Sequence, residues 1–65
     1  PIGAPMRFEL IRSRIPRRQR WRWRIVANNG RVLAWSEAYT NRADAEQAIK
    51  IVRDNAYAAP LRSTP

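Results

Sequence analysis

The sequence predicts an α+β domain, a three-stranded antiparallel meander (β-β-β) with one C-terminal α-helix packed on one face. Three observations predict it. Apolar and polar residues alternate over residues 6–12 and again over residues 20–27, the period of two that a half-buried strand requires. An Asn-Asn-Gly turn signal follows the second alternation directly. From Arg42 to Asn55 the period lengthens, and Ala45, Ala48, Ile49, Val52 and Ala56 recur at helical spacing. Hairpin strands followed by one amphipathic helix make a two-layer unit.

Each element has its own reason. Residues 1–5 are small and proline-bearing and read as a flexible arm. In the first strand Met6, Phe8 and Leu10 face one way and Arg7 and Glu9 the other, with Ile11 off the pattern. Residues 13–19 have no period and carry Pro16 among cations, so they form a connecting loop. In the second strand Trp21, Trp23, Ile25 and Ala27 share one face, while Arg20, Arg22, Arg24 and Val26 share the other.

The hairpin admits two registers. A two-residue Asn29-Gly30 turn pairs Ile25 with Ala34 and Arg24 with Trp35, and sets Leu33 and Trp35 on the arginine face. A three-residue loop with Gly30 in the left-handed region pairs Ile25 with Leu33 and Trp23 with Trp35. The second register collects Trp21, Trp23, Ile25, Ala27, Leu33 and Trp35 on one apolar face and is preferred, since a one-residue slip turns that set to solvent. Residues 31–36 are then the third strand. Asn41 is the expected N-cap, with Thr40 competing, and Asp44 stands three residues on. Glu46 and Lys50 are a favourably ordered i,i+4 pair, and Pro60 stops any continuation of the helix. The domain is expected over residues 6–57, followed by a flexible tail at 58–65.

Charge is distributed unevenly. The 65 residues hold 13 Lys and Arg against 5 Asp and Glu, a formal net charge of +8. Residues 1–31 carry nine Arg and a single acid, Glu9, whereas the bases and acids of residues 32–65 cancel. Nucleic acid, an acidic protein surface and anionic lipid are the partners such asymmetry raises. With no Cys and no His, disulfide scaffolds, zinc fingers and Cys–His or Ser–His catalysis are excluded. No apolar run approaches the roughly 18–20 residues of a membrane span. The expectation is a cytoplasmic protein without catalytic residues, metal or cofactor. A domain of about 60 residues is marginal alone, and with no covalent or metal staple it is expected to homodimerise.

Read in order, Trp21-Arg22-Trp23-Arg24-Ile25, Ala27-Asn28-Asn29-Gly30, Ser36-Glu37-Ala38-Tyr39, Ala48-Ile49 with Val52, and Asn55-Ala56 make up a pattern that resembles the YegP-like family of small bacterial proteins. Phe8-Glu9-Leu10 fits the opening strand of that family. The resemblance covers about residues 7–57. It implies a β-β-β-α unit that occurs in tandem or pairs with a second copy, so this chain should pair. The family has no assigned function and no catalytic residues to carry over. Ala38 stands where the family usually has Gly. The alternation at Arg22 and Arg24 belongs to the family pattern, whereas Arg12, Arg14, Arg17, Arg18 and Arg20 are peculiar to this chain.

Two functional expectations follow. The first is non-specific nucleic-acid binding through phosphate contacts from Arg12, Arg14, Arg17, Arg18, Arg20, Arg22 and Arg24. Alternate strand residues stand roughly 6.6–7 Å apart, which suits successive phosphates of one strand. Five neutralised phosphates would give a salt slope of about −4 to −5. The alternative is a homodimeric protein-interaction module, an adaptor or inhibitor that meets an acidic partner through the same loop. Trp21, Trp23, Ile25, Leu33, Trp35, Ile49 and Val52 are the candidate core or dimer interface. A tryptophan left exposed beside arginine would instead be able to stack on bases.

Overall fold

In a computed structural model the described residues are 5–16 and 18–65. They form β1 (Met6–Arg12), β2 (Trp21–Ala27), β3 (Val32–Trp35), the helix α1 (Arg42–Asn55) and a closing 3-10 turn at Ala56–Ala58. One sheet holds the strands in the order β1-β2-β3, antiparallel throughout. This is the predicted meander with one helix. Arg17 and residues 1–4 lie outside the described residues; Pro5, the last residue of the expected arm, accepts a hydrogen bond from Asn28 N at 2.9 Å.

β1 and β2 pair without interruption, from Met6 opposite Ala27 to Arg12 opposite Trp21. Directly opposed residues share a face. One side of the ribbon therefore carries Phe8, Leu10, Arg12, Trp21, Trp23 and Ile25, and the other carries Arg7, Glu9, Ile11, Arg22, Arg24 and Val26. The off-pattern Ile11 stays on the arginine side. α1 lies over the first side and touches β1 and β2 but not β3. Its Ala45 is fully buried, and this small side chain lets the helix sit close to the sheet.

The β2–β3 hairpin combines the two registers considered above. Its loop is the three-residue one. Ala27 N donates to Arg31 O at 2.8 Å, Gly30 N donates to Ala27 O at 2.9 Å, and Asn29 Oδ1 accepts from Arg31 N at 2.9 Å. Gly30 sits at φ +88°, the left-handed conformation that needs a glycine. Val26 then opposes Val32 as that loop dictates, but the next pair is Ile25 with Ala34, followed by Arg24 with Trp35. Leu33 is an extra residue in β3, a β-bulge. It corrects the expected single apolar face: Trp35 lies on the arginine side, 48% exposed, and Leu33 is 55% exposed. The cause lies in what each side offers. A Trp35 turned toward the helix side would gain no cover, because α1 does not reach β3. On the open side its ring lies against two guanidinium groups.

The core is small. Among the described residues its buried apolar members are Trp23, Val26 and Ala45. Trp21, Ile25, Ile49 and Val52, also expected there, are half-buried. Phe8 meets Trp23 edge-on, with centroids 5.7 Å apart and rings inclined at 65°. Ser36 closes the sheet beside Trp23: its N donates to Trp23 O at 2.8 Å, and its Oγ accepts from Trp23 N at 2.9 Å. Val26 is buried on the open side, between Arg7 of β1 and Val32 of β3.

Asn41 takes the N-cap position with extended backbone, but its side chain makes no capping hydrogen bond. Its Nδ2 donates to Asp44 Oδ2 at 3.4 Å instead. Glu46 pairs with Arg42 at 3.5 Å rather than with Lys50. Both have i,i+4 spacing, and Arg42 adds a contact of its own, with its guanidinium 5.4 Å from the Trp21 ring centroid.

Candidate nucleic-acid interface

The β1–β2 connection is closed by Ser13 N donating to Arg20 O at 2.7 Å, which extends the ladder by one pair beyond Arg12 and Trp21. Ser13 Oγ accepts from Ile15 N at 3.2 Å and makes a local turn that sends the chain outward. Arg14, Ile15, Pro16 and Arg18 are exposed and Arg20 is half-buried. The loop thus stands at one end of the ribbon with its cations presented to solvent.

Three shallow hollows surround it. Arg12, Ser13, Arg14, Pro16 and Arg20 line one of about 310 Å³. Arg18, Gln19, Ala38 and Thr40 line a second, of about 580 Å³. A third, of about 150 Å³, is lined by Ile11, Ser13, Gln19, Arg22 and Trp35. Ser13 is shared by the first and third, and Gln19 by the second and third, so the hollows adjoin. Together they run from the loop onto the open side of the sheet.

The arginines expected at this interface divide into groups. Arg12 turns to the helix side, its guanidinium 5.8 Å from the Trp21 ring centroid. Arg14, Arg18 and Arg20 belong to the loop. Arg22 and Arg24 project from the open side, at 4.8 and 5.3 Å from the centroid of Trp35. Arg24 is not free to take a phosphate: its Nη2 lies 2.7 Å from Glu9 Oε1, and Arg7 Nε lies 2.8 Å from Glu9 Oε2. The Glu9 carboxyl is held below its ordinary range by hydrogen bonds from Arg24 first and Arg7 second. Glu9, Arg24 and Trp35 thereby form a transverse row across all three strands. By contrast, Arg12, Arg14, Arg18, Arg20 and Arg22 enter no ion pair among the described residues.

Trp35 is the functional candidate that sequence reasoning assigned to the wrong side. The bulge that turns it outward occurs in Val32-Leu33-Ala34-Trp35, where no polar residue marks a face. Gln19 was not among the expected contact residues. Its signal was its position between Arg18 and Arg20, inside the basic loop. No helix among the described residues is long and apolar enough to cross a membrane.

No curated protein matches the chain. The solution structure of a protein from Haloferax volcanii is similar to it, with a TM-score of 0.76 and 30% sequence identity over 95% of this chain and all of that one. The family model described as "Domain of unknown function (DUF1508)" matches residues 18–62, which run from the basic loop through all of β2, β3 and α1. The expected YegP-like resemblance and this match are the same family, and the chain belongs to it.

Proposed function

We propose that the protein is a small, non-enzymatic, homodimeric module that binds nucleic acid without sequence specificity. One observation carries this reading. Five arginines without ion pairs surround adjoining hollows that lead from the β1–β2 loop to an exposed tryptophan on the open side of the sheet. Unpaired guanidinium groups release counterions from phosphates, whereas paired ones such as Arg24 contribute little. The reading therefore assigns phosphate contact to Arg12, Arg14, Arg18, Arg20 and Arg22, and a structural role to Arg24.

The homodimer is supported by the thin core and by apolar side chains left open on the helix side. Met6 is 48% and Ile51 53% exposed there, away from the basic strip. Light scattering on the eluted protein should give the mass of two chains; a monomer at micromolar concentration removes this part of the proposal.

Binding is tested by fluorescence anisotropy with a labelled random-sequence oligonucleotide over a salt series. Five neutralised phosphates give a log–log slope of about −4.5 on duplex and about −3.5 on single strands. The double substitution Arg14→Glu, Arg18→Glu should abolish most of the affinity. No binding at low salt would sink the reading. Capture of a specific acidic protein instead would favour an adaptor or inhibitor.

A further inference from the structure

We infer that Trp35 is a stacking platform for an unpaired base, so that the ligand of this face is single-stranded nucleic acid. The inference rests on the nucleic-acid reading above and narrows it. Three features of the open side lead to it.

The first is position. The Leu33 bulge places a large indole on the side away from α1, where it is 48% exposed. A base can approach such a ring in an open sheet, but a base inside a duplex has its faces covered by its neighbours. The second is chemistry. Arg22 stands 4.8 Å from the indole centroid and has no carboxylate partner among the described residues. A nucleotide offers a flat ring and an anionic phosphate a few ångströms apart, and the Trp35–Arg22 pair offers a complement to each. The third is shape. The hollow bounded by Ile11, Ser13, Gln19, Arg22 and Trp35 has about 150 Å³. That is below the roughly 300–1,000 Å³ of small-molecule sites, and suits one inserted ring rather than a whole metabolite. Besides Trp35, its wall holds an apolar side chain, Ile11, and an amide, Gln19, able both to donate and to accept at a base edge.

An acidic protein can meet the arginines through carboxylates but brings no base to the indole. The test therefore separates charge from bases. Anisotropy is measured with a labelled single strand, its duplex, and an abasic strand of the same length that keeps the phosphates and lacks the bases. Wild-type protein should bind the single strand more tightly than either of the others. Trp35→Ala should weaken single-strand binding about 5- to 150-fold and leave abasic-strand binding unchanged. Trp35→Phe, which keeps an aromatic face and serves should the alanine variant fail to fold, should retain most of the difference between the single strand and the abasic strand. In the wild-type protein labelled with 5-fluorotryptophan, the Trp35 fluorine resonance should move on adding the single strand and stay in place on adding the abasic one. Equal binding of all three ligands by the wild-type protein, with Trp35→Ala silent or the Trp35 fluorine resonance unmoved by the single strand, overturns the stacking inference and leaves phosphate binding standing. No binding of any of the three overturns both.

Discussion

Deletion of Leu33 tests where the third strand obtains its register. In the structure the hairpin loop sets Val26 opposite Val32, and β3 then skips one residue before Ala34 meets Ile25. Removing the skipped residue brings Ala34 next to Val32 and joins the two paired stretches into one ladder. Trp35 should remain opposite Arg24, on the open side. A strand that ran without a bulge would respond in the opposite way. The deletion would shift every residue after Val32 by one and turn Trp35 to the other face.

The energetic cost follows from burial. Leu33 is 55% exposed, so less than half of its side chain is out of water. Full burial of a leucine contributes about 1.5–3 kcal/mol, so the deletion should lose about 1 kcal/mol, partly offset by the regular ladder. A domain of this length has roughly 3–10 kcal/mol of stability in all, so the variant should fold. Urea denaturation followed by circular dichroism gives the loss. Cross-strand NOEs between Arg24 and Trp35 give the register. A loss above about 3 kcal/mol, or NOEs placing Trp35 beside Ile25, would refute the assignment of Leu33 as the extra residue.

Three further outcomes are expected. Trp23 is 7% exposed and its buried Nε1 has no hydrogen-bond partner, so Trp23→Phe removes an unsatisfied donor, a gain of about 1–3 kcal/mol that offsets much of the lost ring, while Trp23→Ala should cost about 3–5 kcal/mol; equal urea midpoints for the two variants would contradict this. Ala45 is fully buried under the sheet, so Ala45→Leu should destabilise by about 1–3 kcal/mol through overpacking, and an unchanged thermal midpoint would show that α1 sits further from the sheet. The Glu9 carboxyl is depressed by Arg24 and Arg7, so its contribution is present above the unfolded value of about 4.3 and is lost as pH falls through the lower folded value. Glu9→Gln should therefore destabilise more at about pH 7 than at about pH 3, and a difference that grew on acidification would reverse the assigned sign.

The elements that could be read in advance are those whose periodicity spans several residues. β1 matches at both ends because Met6, Phe8 and Leu10 mark one face through the whole strand. α1 matches at Arg42 and Asn55 because its apolar stripe runs for four turns. β3 is different. Its four residues are all apolar, so no alternation distinguishes its two faces, and a one-residue bulge leaves no trace in such a stretch. What decides the face is the reach of α1, and that depends on tertiary packing rather than on local sequence. Val26 was placed on the correct face but left out of the expected core for a related reason. Its neighbours Arg22 and Arg24 mark the face as polar, yet flanking strands on both sides bury it to 2% exposure. The basic loop was legible because charge density survives any register. Its division into free and engaged cations was not, since Arg24 is removed from the free set only by Glu9 of the neighbouring strand.

The bulge also bears on why Trp35 should have a ligand at all. A tryptophan offers 150–250 Å² of surface to bury, and at about 25 cal/mol per Å² the half left open at Trp35 forgoes at most about 2–3 kcal/mol. In a large protein that sum is minor. Here the buried apolar residues among those described are Trp23, Val26 and Ala45, and the forgone burial is a sizeable fraction of the whole stability. Two guanidinium contacts return part of it, about 0.5–1 kcal/mol each at an exposed site. The remainder is unmatched in the free protein and becomes recoverable when a flat apolar surface covers the ring. A base brings that surface together with the phosphate that Arg22 lacks. The residue where local pattern and fold disagree is thus one where the molecule gains from binding.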